Sequence, residues 1–188
     1  MPCQPSTPPA AKKSACWTPC SWQCRDKVML YCAFVLYFAY GSNLDFGQMK
    51  HRCPSAEFHS LAVLRDHRLA FSRKSLSRGC GVADVVPAPG SKVWGVVYKI
   101  AAEEITRLDA TEGFQPGRVQ NAYSRVECQV FLNDRDDSPL MAMVYFANRE
   151  ENPPLPNQEY KNQILQGARF WGLPKDYIKE VLEPIPVL

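Results

Sequence analysis

The chain has 188 residues, 46% hydrophobic and 22% charged, with a formal net charge of +3. That length suits one domain with a substantial core. The excess charge lies in residues 1–34, where Lys12, Lys13, Arg25 and Lys27 oppose Asp26, leaving 18 basic and 18 acidic residues beyond them. A neutral domain excludes a nucleic-acid binder that works by bulk positive charge.

Residues 1–27 contain Pro2, Pro5, Pro8, Pro9 and Pro19 and no apolar period. Residues 1–30 are therefore expected to be a disordered or weakly ordered extension, with the folded domain at residues 31–188. Five of the eight cysteines fall in the first 32 residues. Cys16, Cys20 and Cys24 recur every four residues, but Pro19 interrupts the helix that would align them. A tail without a metal is the reading adopted. The other three cysteines are scattered, which points to free thiols in a reducing, cytosolic compartment rather than a disulfide framework. The longest apolar run, residues 28–40, has 13 residues. A membrane-spanning helix needs about 20, so no membrane partner is expected.

Residues 33–40 are all apolar or aromatic, as in a strand covered on both faces. Gly41-Ser42-Asn43 ends the strand, and a short helix over residues 44–53 closes at Pro54. A small-residue turn feeding a helix leaves backbone N–H groups free for a carboxylate or a developing oxyanion. It is equally an ordinary strand-to-helix turn.

Residues 57–72 read as one long or bent strand. Residues 73–81 form a basic, glycine-containing loop; a solvated loop is the favoured reading, and a rim of the substrate site is the alternative. Residues 82–86 are a short strand, 87–91 a turn, and 93–100 a strong strand. Residues 101–112 are a helix with Gly113 as its C-cap. A strand at 122–132, a charged turn and a strand at 140–147 form a hairpin. The proline-rich linker 151–156 leads to a helix at 158–170 stopped by Gly172, and a short helix at 174–182 ends the chain. This order predicts an α+β (mixed α/β) domain, a small mixed β-sheet or barrel flanked by helices.

His51, His59 and His67 lie eight residues apart with no ligand spacing around them, so no metal is expected. Ser42 lacks the Gly-x-Ser-x-Gly elbow of a nucleophile. Glu112 is a candidate general acid/base, because burial at the negative end of a helix would raise its pKa towards neutrality. On residue type alone, an exposed glutamate before a capping glycine is the favoured reading.

The octet Tyr37-Phe38-Ala39-Tyr40-Gly41-Ser42-Asn43-Leu44 resembles the substrate loop of the γ-glutamylcyclotransferase family. The resemblance covers roughly residues 35–175. Leu108-Asp109-Ala110-Thr111-Glu112-Gly113 is similar to the family segment whose glutamate accepts the proton, which implies that role for Glu112. Substrate contacts are implied at Tyr37, Phe38, Ala39, Tyr40, Gly41, Ser42 and Asn43. They are also implied at Tyr123, Tyr145 and Tyr160, although the stretch from Pro154 to Tyr160 is two residues longer than the family pattern. Tyr123 and Tyr145 equally fit core aromatic positions. The resemblance implies a compact barrel-like sheet flanked by helices and a homodimer. The implied reaction converts γ-glutamyl-amino acids to 5-oxoproline and a free amino acid, with a small-molecule γ-glutamyl substrate and no cofactor. The Gly41-Ser42-Asn43 continuation favours the amino-acid branch over siblings acting on glutathione or γ-glutamyl-lysine. A non-catalytic binding domain on the same fold is the other alternative.

Overall fold

A computed structural model describes residues 34–188, so the expected extension and the Cys16, Cys20, Cys24 spacing lie outside the described residues. Five strands close into a barrel in the order β1-β3-β2-β4-β5. They are β1 (Phe34–Ala39), β2 (Glu57–Lys74), β3 (Gly81–Ala101), β4 (Tyr123–Leu132) and β5 (Pro139–Ala147). β1 meets β5 in parallel at Tyr37 and Met143, and every other pairing is antiparallel. The β2–β4 seam that completes the ring is short, Ala62↔Leu132 and Val63↔Phe131. Helices α1 (Phe46–Arg52), α2 (Ile105–Glu112), α3 (Gln158–Trp171) and α4 (Lys175–Tyr177) flank the barrel, and α4 runs into a π-helical turn, Ile178–Leu182. This is the α+β architecture that the element order predicts.

The turn expected at residues 87–91 does not reverse the chain. β3 runs through it, and the pairing steps from Arg65↔Lys92 to His67↔Pro87. Residues 88–91 therefore face Asp66 alone. Gly90 takes φ 77° and Asp66 takes φ 56°, and the Gly90 N–H donates to Asp66 Oδ1 at 2.8 Å. The turn chemistry builds a bulge, because the apolar runs on both sides stay paired with β2.

β1 is also less covered than a uniformly apolar run suggests. Phe34 is 53% exposed, and burial becomes complete only from Tyr37 onwards. The deep core joins Phe38, Tyr98, Val96 and Val144 of the barrel to Leu108 of α2 and Ile164 of α3. Burying such side chains supplies the main driving force for closing the barrel. Among the described residues, no helix is long and apolar enough to cross a membrane.

Candidate active site

The site forms where β1 runs out. Gly41 leads into a 3-10 turn, Ser42–Leu44. Asp45, not Ser42 or Asn43, caps α1, its side chain accepting from the Gln48 N–H at 2.9 Å. Gly41 has no side chain to offer the turn, and the first N–H groups of a helical turn have no partner within it.

Helix α3 is clamped against this turn. A Cβ on Gly167 would lie 2.5 Å from the Leu44 carbonyl carbon, so only glycine permits the approach. Trp171 Nε1 donates to the Leu44 carbonyl at 2.8 Å. Asn157 caps the start of α3, and Gly172, at φ 71°, ends it. Tyr160, in the first turn of α3, is thereby held beside Gly41, its hydroxyl accepting from the Ala83 N–H at 3.1 Å.

Glu112 closes the site from α2. It is the last residue before Gly113, whose φ of 65° gives the left-handed cap expected from sequence. Its side chain is 14% exposed. Oε1 accepts from Arg52 Nη1 at 2.8 Å and from Asn43 Nδ2 at 3.0 Å. The Asn43 amide also donates to the Tyr37 hydroxyl at 2.7 Å. Asn43 Oδ1 accepts from Gln48 and from Arg52. Burial pushes the Glu112 carboxyl above the usual carboxylate range, and the Arg52 charge and Asn43 amide pull it back only in part.

Tyrosines make up most of the remaining wall. Tyr40 donates to the Tyr145 carbonyl at 2.6 Å, and Tyr123 donates to the Ala83 carbonyl at 2.8 Å. Tyr145 donates to Asp109 Oδ1 at 2.7 Å, and Asp109 is paired with Arg125 at 2.6 Å. Burial raises all five phenols, Tyr37, Tyr40, Tyr123, Tyr145 and Tyr160, so they stay protonated near neutral pH.

Two adjoining cavities meet at Ser42, Glu112, Tyr123 and Tyr160. The inner one, about 30 Å³, is also lined by Tyr37, Tyr40, Gly41, Asn43 and Tyr145. The outer one, about 410 Å³, opens between α2 and residues 73–78. The structure thus brings together Glu112 and eight of the residues implied as substrate contacts. Phe38 and Ala39 are fully buried in the core and line neither cavity.

The basic loop is not simply solvated, as Arg73, Lys74 and Arg78 form one wall of the outer cavity. Arg52 was not visible as a site residue, since nothing local pairs it with a glutamate 60 positions away. Ser42 Oγ accepts from Gln48 Nε2 at 3.0 Å and meets no histidine among the described residues. Among the described residues, no cluster of three or more His, Cys, Asp or Glu side chains is placed to hold a metal.

Residues 92–181 match the AIG2-like family. A γ-glutamylcyclotransferase of Bos taurus is 36% identical over 156 residues, covering 79% of each chain. The one from Homo sapiens is 35% identical over 155 residues, with the same coverage. A solved γ-glutamyl cyclotransferase superposes with a TM-score of 0.75 at 32% identity, spanning 83% of this chain and 90% of that one. With that identity and coverage, this chain belongs to the γ-glutamylcyclotransferase family.

Proposed function

We propose that the chain converts γ-glutamyl-amino acids to 5-oxoproline and a free amino acid, with Glu112 moving the proton. The observation that carries this reading is a buried carboxyl of raised pKa, hydrogen-bonded to Asn43 at 3.0 Å and lining one small pocket together with Gly41, Ser42 and Asn43.

The reaction is an intramolecular aminolysis, so holding the substrate folded supplies much of the acceleration. Both protein donors to Glu112 reach Oε1, which leaves Oε2 for the substrate. Glu112 takes a proton from the substrate's α-ammonium. The freed amine attacks the γ-carbonyl carbon, and the oxyanion is met by N–H groups of the turn. Protonated Glu112 then gives its proton to the amide nitrogen. The regenerated carboxylate takes the second proton from the ring nitrogen and passes it to the leaving amine, so 5-oxoproline keeps one N–H and the amino acid leaves as its ammonium. The C–N bond breaks, releasing the amino acid and 5-oxoproline. Neutral tyrosines shape the pocket without competing for the proton.

Burial raises the Glu112 carboxyl most, and the Arg52 charge opposes that rise. That charge favours the carboxylate, so Arg52→Gln should move the acid limb of the pH–rate profile to higher pH. An unmoved limb in that variant would mean that the ion pair does not control the base.

The proposal includes a cytosolic location, in keeping with free thiols at Cys53, Cys80 and Cys128, and the homodimer that the family resemblance implies. Product identity tests the reaction. The full chain, given γ-glutamyl-alanine, γ-glutamyl-lysine and glutathione in parallel, should release 5-oxoproline fastest from γ-glutamyl-alanine. Glutamate as the product, or no product from any of the three, would overturn the reading.

A further inference from the structure

The outer cavity carries more positive charge than the reaction at Glu112 uses. Four cations line it, Arg52, Arg73, Lys74 and Arg78, against one carboxylate, Glu112. Arg52 is spent on Glu112 at 2.8 Å. Arg73 is paired with Glu150 at 3.3 Å and donates to the Asn148 carbonyl. Among the described residues, Lys74 Nζ and the Arg78 guanidinium have no carboxylate within 4.0 Å.

Arg78 is fixed in place despite lacking a counter-charge. Its guanidinium lies over the Tyr160 ring at 4.7 Å, and one nitrogen donates to Gln48 Oε1 at 2.8 Å. Gln48 is itself tied to Ser42 and Asn43 of the turn. A stacked guanidinium loses little further freedom when it meets an anion, and its fork matches a carboxylate. Lys74 is exposed on the same wall, its backbone N–H held by Glu150 at 2.9 Å. A concave wall with surplus positive charge concentrates anions at its surface.

A substrate whose glutamyl group reacts at Glu112 must send its other half into this cavity, because the inner pocket is too small for it. We propose that Lys74 and Arg78 form an anion-reading subsite for that half, so the preferred substrates are γ-glutamyl amino acids with an acidic acceptor. This rests on the cyclotransferase reading above. Every γ-glutamyl amino acid brings one acceptor carboxylate, an acidic acceptor brings two, and a γ-glutamyl amide of a simple amine brings none.

Calorimetric binding to the full-length Glu112→Gln chain reads the subsite without turnover. The probes are γ-glutamyl-glutamate, γ-glutamyl-alanine and γ-glutamyl-methylamide. Affinity is expected to fall in that order, roughly fivefold per carboxylate at low salt. The preference should shrink in about 1 M salt, where screening acts within about 3 Å. Arg78→Gln with Lys74→Gln should bring the three affinities together, and Lys74→Gln alone, on an exposed side chain, should do so in part. Equal affinities in the starting chain, an order that survives the double variant, or no binding of any probe would overturn the subsite. A wild-type assay for 5-oxoproline judges the reaction separately. Ordered binding without 5-oxoproline would keep the subsite and refute the cyclotransferase.

Discussion

Gly41→Val is expected to abolish measurable turnover, lowering kcat/KM by more than about 10²-fold. The cause is space rather than backbone sign, since Gly41 sits at φ −115°. A Cβ there would lie 2.9 Å from the Ala83 Cβ and 3.6 Å from the Tyr160 hydroxyl. Valine adds two further methyl groups to that crowding. Relief requires Ala83 or the turn to move, and the Ala83 backbone holds both Tyr160 and Tyr123. A shift of about 1 Å at a reacting centre can cost 10²-fold. Overpacking typically costs about 1–3 kcal/mol, so the variant should fold with a lowered Tm. Gly41→Ala, with one methyl, should be intermediate. Kinetics and thermal melts on both variants check this, and normal turnover in the valine variant would remove the turn from the reaction.

Glu112→Gln has the larger expected effect. General acid–base catalysis contributes about 10²–10⁴-fold, and Glu112 is asked to act in both halves of the reaction. A fall in kcat of at least roughly 10³-fold should follow. The amide oxygen can still accept from Arg52 and Asn43, so the geometry at Oε1 is kept. The effect on stability follows from linkage. A carboxyl whose pKa is raised on folding holds its proton where the unfolded chain has lost it. Stability therefore falls as pH rises from the unfolded pKa through the folded one, and ionised Glu112 is a liability at neutral pH. The glutamine variant should melt no lower than wild type at pH 7. Glu112→Asp should also be poor, because one methylene less withdraws the base by about an ångström.

Much of this fold was legible because its signals are local. Apolar runs, Gly113 and Gly172 as caps, and the charged turn of the β4–β5 hairpin each act within a few residues. The bulge at residues 88–91 was not, because Pro87 and Gly90 carry the same turn chemistry whether the chain reverses or loops out. Only pairing with β2 decides between those outcomes. The candidate site divides in the same way. Glu112 and the Gly41-Ser42-Asn43 turn stand out in short segments. Arg52 on Glu112, Asp109 under Tyr145 and Arg78 over Tyr160 join residues tens of positions apart. Those contacts arise only when the barrel closes and α3 docks on the turn.

The role of Glu112 is tested most directly by the pH dependence of kcat/KM for 5-oxoproline release from γ-glutamyl-alanine. Wild type and Glu112→Gln should be compared over the same range. Wild-type activity should fall on the acid side, with a midpoint above the usual carboxylate range, because burial raises Glu112. The residual activity of the glutamine variant should lack that limb. The same acid limb in the variant, or near wild-type rates, would show that another group moves the proton.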